Sequence, residues 1–169
     1  DAKETVVMKL PKYQVSEATL NKAKERFAKF PLLNNSIRNR EGGLVGYIGE
    51  ALVLHLQGGE IKDTYDYDLI NAKGVKIDVK TKERKVTPKS NYNCTVADFN
   101  PNQKCDRYAF VSVLDDYKTA WYLGSISKEN FYKKAVFYKQ GELDPDSSPN
   151  YPFKFIADCY NIKINQLEL

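Results

Sequence analysis

A single histidine, His55, stands in a chain of 169 residues. One imidazole excludes most Ser-His and Cys-His hydrolase schemes, which need a base beside the nucleophile. His55 itself falls in ALVLHLQ, an apolar helical run, where a packed or partly exposed ring is expected rather than a catalytic one. Cysteine is also scarce: Cys94, Cys105 and Cys159 are odd in number, widely spaced and never in a C-x-x-C pair. With one histidine they cannot readily supply the four N/S ligands of a structural zinc site. Reduced, structural thiols in a cytoplasm-like compartment are the expectation. No apolar run approaches the roughly 18–20 residues of a membrane span, and DAKETVVMKL lacks the basic–apolar–small order of a signal peptide. Repeats, low-complexity tracts and internal linkers are missing too, as are helix-turn-helix and zinc-finger patterns. A cytoplasmic protein forming one domain over 1–169 is expected, with no membrane partner and no small-molecule organic cofactor.

What is present is ordinary globular composition: 42% hydrophobic, 12% aromatic and 28% charged. A net charge of +4 permits an anionic partner without demanding one. The cations cluster, however. Between Lys73 and Lys89 stand seven of them (Lys73, Lys76, Lys80, Lys82, Arg84, Lys85, Lys89) against Asp78 and Glu83. A solvated face and a phosphate-binding stripe both explain such a run.

Residues 16–30 carry Leu20, Ala23, Phe27 and Phe30 at helical spacing behind Ser16 as N-cap, with Pro31 as stop. A polar, glycine-bearing connection precedes a second helix over 44–57, LVGYIGEALVLHLQ, ended by Gly58-Gly59. That helix is apolar nearly all round, which predicts burial. Gly46 and Gly49 within it imply close packing, since each costs roughly 1 kcal/mol relative to alanine. Glu50 is an acid on a buried helix, expensive unless paired, protonated or metal-bound. Strands are expected over Thr64–Ile70, Val75–Lys82, Tyr92–Ala97, Tyr108–Leu114 and Thr119–Leu123. A short helix capped by Ser127 follows over 127–135, and a last strand within 155–164 closes the sheet. The order predicts an α/β (α+β) domain with one central mixed sheet flanked by helices.

Asn71-Ala72-Lys73-Gly74 reads as the turn of a hairpin. Setting Asn71 opposite Val75 places Asp68 opposite Asp78, and Asp66 opposite Lys80. Directly opposed residues have Cβ atoms about 4.5–5.5 Å apart, so Asp68 and Asp78 repel unless a cation lies between them. Oxygen-only ligands suit magnesium or manganese (Mg²⁺ or Mn²⁺) rather than zinc. Lys80, two residues from Asp78 on the same strand face, is placed to position a water or to stabilise developing charge. Glu50 adds a third carboxylate if its helix packs on this sheet.

Gly46-x-x-Gly49-Glu50, then Asp68, then Asp78-Val79-Lys80 resembles the PD-(D/E)XK nuclease superfamily, the restriction-endonuclease-like fold of many restriction enzymes, resolvases and phage nucleases. The motif-bearing part covers 44–82. The text from VADFNPNQKCDRYAFVSV to SKENFYKKA is similar to phage-type members, more loosely, to about residue 135. The resemblance implies that Asp68 and Asp78 bind the metal, that Lys80 handles the water and that Glu50 supports from the helix. No proline precedes Asp68, and Asp66 competes with it; the register favours Asp68. Gln103 is a candidate auxiliary group. Lys82, Arg84, Lys85 and Lys89 follow the catalytic strand and are candidates to bind the backbone of DNA, with Arg38 and Arg40 as a second pair. Tyr65, Tyr67 and Tyr92 are candidates to stack on bases. A metal-dependent nuclease acting on DNA, in host cytoplasm if phage-encoded, is thus the leading expectation. An inactive binding module of the same fold, a site-specific restriction endonuclease and a homodimeric junction resolvase are its alternatives, with endo- and exonuclease action both open.

Overall fold

A computed structural model describes residues 10–29, 40–98 and 102–168. Helix α1 (Glu17–Lys29) starts where Ser16 Oγ accepts the Thr19 N–H at 3.1 Å, the cap expected. Its expected end at Phe30 and Pro31 lies outside the described residues, as does Arg38. Helix α2 (Arg40–Gln57) begins four residues earlier than the apolar pattern announces. Among the described residues, no helix is long and apolar enough to cross a membrane.

The strands fall into two sheets. The larger joins β1 (Lys12–Gln14), β2 (Glu60–Ile61), β3 (Leu69–Ile70), β4 (Lys76–Arg84), β6 (Arg107–Leu114) and β7 (Thr119–Ser127) in the order β1-β7-β6-β4-β3-β2. Every pairing in it is antiparallel except β4 with β6, which makes the sheet mixed. The smaller sheet joins β5 (Asn93–Ala97), β9 (Cys159–Lys163) and β8 (Val136–Tyr138), in that order. Helix α3 (Lys128–Lys134) follows β7, with Ser127 Oγ accepting the Asn130 N–H at 3.1 Å.

Strand alternation decides what each face of the large sheet meets. Ile77, Val79, Ala109, Val111 and Val113 point to one side and pack with Ala23, Val45, Ile48 and Val53 of the two long helices. Tyr108, Phe110, Trp121, Leu123 and Ile126 point to the other and pack with Phe131 of α3 and with Cys94, Val96 and Ile162 of the small sheet. Both faces of β6 are therefore covered, which is why YAFVSV reads as a continuous apolar run.

Two expectations are corrected here. The α/β (α+β) fold with a central mixed sheet holds, but the expected last strand does not close that sheet: β9 pairs with β5 and β8 in a second, smaller one. The expected strand over Thr64–Ile70 shrinks to Leu69–Ile70. Thr64 Oγ1 accepts the Tyr67 N–H at 3.0 Å, and Thr64 N donates to Tyr67 O at 3.0 Å. That closes a turn in which Tyr65 and Asp66 lie on a bend rather than on alternate strand faces.

Candidate functional site

The site begins with the hairpin turn. Asn71 Oδ1 accepts the N–H groups of Lys73 and Val75 at 3.0 and 2.9 Å, and Gly74 takes φ +80°. The turn fixes the register Ile70↔Lys76 and Leu69↔Ile77, as expected. One step further lies Asp68, whose N–H donates to Ile77 O at 2.9 Å and whose Oδ2 accepts the Val79 N–H at 2.7 Å. Asp68 thus crosses to β4 beside Asp78.

Helix α2 supplies the next acid because Gly49 lets it lie directly on β4. A Cβ at Gly49 would stand 1.9 Å from Thr81 Oγ1, so the close-packing expectation holds there. It fails at Gly46, where a Cβ would meet nothing within 4 Å and where the helix instead borders a cavity. Glu50, next in the chain, is 7% exposed. Burial pushes its carboxyl up from 4.5 to about 7, against the pull of a hydrogen bond with Asp68 and of the Arg26 guanidinium. Asp68 is held well above the ordinary carboxylate range, first by burial and then by the charges of Asp78 and Glu50. The two acids share a hydrogen bond that requires one of them to keep a proton.

Two participants carry no clear mark in the sequence. Asp63 holds a positive φ of 48°, a conformation that aspartate tolerates better than most residues. Its ligand atoms join those of Glu50 and Asp68 in a group all within 4.8 Å of one another. Arg26, from α1, reaches both Glu50 Oε2 and Asp63 Oδ1 at 2.6 Å while its guanidinium lies 4.2 Å from the centre of the Tyr47 ring. The preference of Asp for turns is a weak signal for Asp63; nothing in the sequence marks Arg26.

Asp78 is 2% exposed. It stands outside the three-acid group, and Lys80 Nζ lies 2.8 Å from its Oδ2. That ion pair lacks the directed geometry of a hydrogen bond, so Asp78 Oδ2 is a buried oxygen with no hydrogen-bond donor among the described residues. Gln103, fully buried rather than a surface amide, donates from Nε2 to Tyr65 O at 2.7 Å and weakly to Asp78 Oδ1 at 3.4 Å. Lys128 Nζ donates to the backbone carbonyl of Gln103. Asp66, the competitor for the ligand role, instead accepts the Lys104 N–H at 3.0 Å and borders no part of the cavity.

One cavity of about 960 Å³ joins these groups. Glu50, Asp63, Asp68, Asp78 and Lys80 border one end of it. Lys82, Arg84 and Lys89 border the rest, whereas exposed Lys85 does not. Arg84 is engaged: Nε donates to Ser112 Oγ at 3.0 Å, an Nη to Asn93 O at 3.3 Å, and Tyr92 lies 4.7 Å beneath it. Arg40 is the first residue of α2. Of the candidate tyrosines, Tyr92 borders the cavity, Tyr65 is exposed, and Tyr67 lies under Lys76 Nζ at 5.5 Å. His55 is exposed in the last turn of α2, and the three cysteines are buried and unpaired.

The donor set fits a hard divalent cation. It is all carboxylate, which suits Mg²⁺ or Mn²⁺. Once the proton shared by Glu50 and Asp68 is given up, four carboxylates (Glu50, Asp63, Asp68, Asp78) face two cations (Arg26, Lys80), a deficit equal to the charge of one such ion. No protein-family model and no curated protein matches the chain.

Proposed function

We propose that this protein is a divalent-metal-dependent nuclease that hydrolyses DNA phosphodiester bonds. The observation that carries the reading is the crowding of four carboxylates on one cavity wall, Glu50 and Asp78 buried and Asp63 exposed, with Lys80 held against Asp78 beside them. Like charges so placed raise one another's proton affinity, which an ordinary fold avoids. The resemblance of Glu50, Asp68 and Asp78-Val79-Lys80 to the PD-(D/E)XK pattern supports the same reading.

Glu50, Asp63 and Asp68 would hold the cation, with Asp78 completing the acidic wall. Such an ion, when bound, polarises a phosphate and lowers the pKa of a coordinated water. Lys80 then has two tasks: to pair with Asp78, and to donate a hydrogen bond to the attacking water or to a phosphate oxygen as charge builds there. Arg26 fixes Glu50 and Asp63 in place and would share with the ion the oxygens it now holds, Glu50 Oε2 and both of Asp63. Lys82 and Lys89, farther along the cavity, would hold flanking phosphates.

A second reading, an inactive nucleic-acid-binding module, draws on Arg26, which pairs Glu50 and Asp63 without any metal. One experiment separates them. Linear, circular, single-stranded and branched DNA are incubated with Mg²⁺, Mn²⁺ or EDTA, using the native protein, Asp68→Asn, Asp78→Asn and Lys80→Ala. Cleavage that needs metal and is lost in all three variants is the expected result. Binding without cleavage by the native protein would leave the second reading standing alone.

A further inference from the structure

The acidic wall occupies only one end of the cavity. Asp78, Lys80, Lys82 and Arg84 lie on one face of β4, the face turned toward the small sheet, and all border the cavity. The strand carries this line over about 20 Å, the length of several nucleotides at about 3.4 Å per stacked step. Its far end is built differently from its near end. Tyr151, Phe153 and Ile156 border it and are 83%, 40% and 55% exposed, while Phe155 beneath them is buried.

The Phe153 and Phe155 rings are supported rather than loose. Phe155 stacks on Tyr138 with centroids 4.4 Å apart at 11°, and Phe153 meets Phe155 edge-on at 5.5 Å. Backbone hydrogen bonds tie the segment into a ladder: Asp144 N to Phe153 O at 2.8 Å, Phe155 N to Glu142 O at 2.9 Å, Gly141 N to Phe155 O at 2.8 Å. Lys82 Nζ stands 5.8 Å from the centre of the Phe153 ring. A cation of the β4 line thus faces the aromatic cluster.

Asp144 and Asp146 border the same end. Asp144 accepts from Asn93 Nδ2 at 3.1 Å, and Asp146 is paired with Lys163 at 2.6 Å. Lys163, which also borders the cavity, offsets Asp146, and the remaining carboxylate of Asp144 disfavours phosphates but not neutral bases. The charge pattern therefore sorts a strand, with phosphates along Lys82 and Lys89 and bases toward Tyr151 and Phe153. Only an unpaired base can offer its face to a ring, because a duplex keeps base faces stacked on one another.

We infer that the far end of the cavity is a stacking platform for unpaired bases, so that the strand led to the acidic wall is single-stranded, through Tyr151 and Phe153. The inference deepens the nuclease reading and rests on it for the direction of the strand, but the platform can be tested without cleavage. Fluorescence anisotropy in EDTA would compare a labelled single strand of about twelve nucleotides, the matching blunt duplex, and an abasic strand of equal length. Base stacking predicts tightest binding to the normal single strand. Tyr151→Ala and Phe153→Ala should each weaken that binding roughly tenfold and leave the abasic strand unaffected. Tyr151 is so exposed that its replacement should leave the thermal midpoint unchanged, and Phe153→Leu, which keeps bulk but not the ring, should behave as Phe153→Ala does.

Equal affinity for all three nucleic acids, no binding of the single strand, or variants that bind it as the native protein does would each overturn the inference. If metal-dependent cleavage nonetheless persists and depends on Lys80, the nuclease reading stands while the platform falls. Base-dependent binding lost in Tyr151→Ala, with no cleavage under any condition, keeps the platform and removes the nuclease.

Discussion

Two glycines of one helix, three residues apart, should respond oppositely to alanine. At Gly49 the added carbon would stand 1.9 Å from Thr81 Oγ1, 3.0 Å from its Cβ and 3.1 Å from its Cγ2. Ordinary contact begins at 3.4 Å, so the oxygen is 1.5 Å too near. Rotating Thr81 moves Oγ1 but leaves Cβ where it is and swings another substituent into the gap, so α2 must retreat from β4. Overpacking of this kind costs about 1–3 kcal/mol, and the upper part of that range suits a clash above 1 Å. Alanine returns about 1 kcal/mol of helix propensity, leaving a net loss near 2 kcal/mol. At Gly46 nothing lies within 4 Å, and the propensity gain of up to about 1 kcal/mol stands alone. In a chain of this size 1 kcal/mol moves the thermal midpoint by about 2–4 °C. Calorimetry should therefore show Gly49→Ala melting roughly 4–8 °C lower and Gly46→Ala slightly higher than the native protein. Adding Thr81→Ala to Gly49→Ala removes the clashing oxygen and should recover at least about 1 kcal/mol beyond additivity. The same sign of shift at both glycines, or strict additivity with Thr81→Ala, would refute the packing argument.

Three further outcomes follow from the acidic wall and the thiols. The native carboxyl of Glu50 binds its proton more tightly than the unfolded one, so its contribution is complete below about 4.5 and is lost as pH rises through about 7. Urea unfolding in EDTA should then give a protein about 3 kcal/mol less stable at pH 8 than at pH 4.5 from this group, with Mg²⁺ restoring much of it; a flat profile with no response to Mg²⁺ would count against the site. Lys80→Met strands the buried Asp78 carboxylate and should cost roughly 3 kcal/mol at pH 7, while Asp78→Asn added to it should recover part of that loss in the same titration. Burial pushes the Cys94 and Cys105 thiols up to about 12, so iodoacetamide at pH 8 should label neither until denaturant is added; rapid labelling of the folded protein by mass spectrometry would contradict their placement.

Local chemistry was legible in the chain and long-range geometry was not. Ser16, Ser127 and Asn71 act through bonds to residues two to four positions away, and each cap or turn stands where the residue types place it. The hairpin register that sets Asp68 beside Asp78 came from the same short-range logic. The Tyr65–Asp68 alternation misled because a period of two ignores Thr64, whose hydroxyl captures a backbone N–H and bends the chain out of the strand. Asp63 and Arg26 lie 37 residues apart and meet through the stacking of α1 on α2, which no local pattern encodes. The partition into two sheets escaped for the same reason: Thr95 pairs with Asn161, 66 residues away.

The lone parallel pairing has a consequence for the order in which the molecule assembles. β6 and β7 are neighbours in sequence and need close only a short turn at Asp115–Lys118, whereas β4 meets β6 with partners such as Ile77 and Arg107 thirty residues apart. Loop closure disfavours the distant pairing until other contacts support it. The β6–β7 ribbon is therefore the natural early structure, and β4 is a late arrival whose docking brings Asp78 and Lys80 under the small sheet. A nascent or partly unfolded chain would hold that ribbon and, across the tight β3–β4 turn, the pair Asp68 and Asp78, but Glu50 joins them only when α2 docks on β4, so the full charge conflict of the acidic wall arises only once the rest of the fold can bear it.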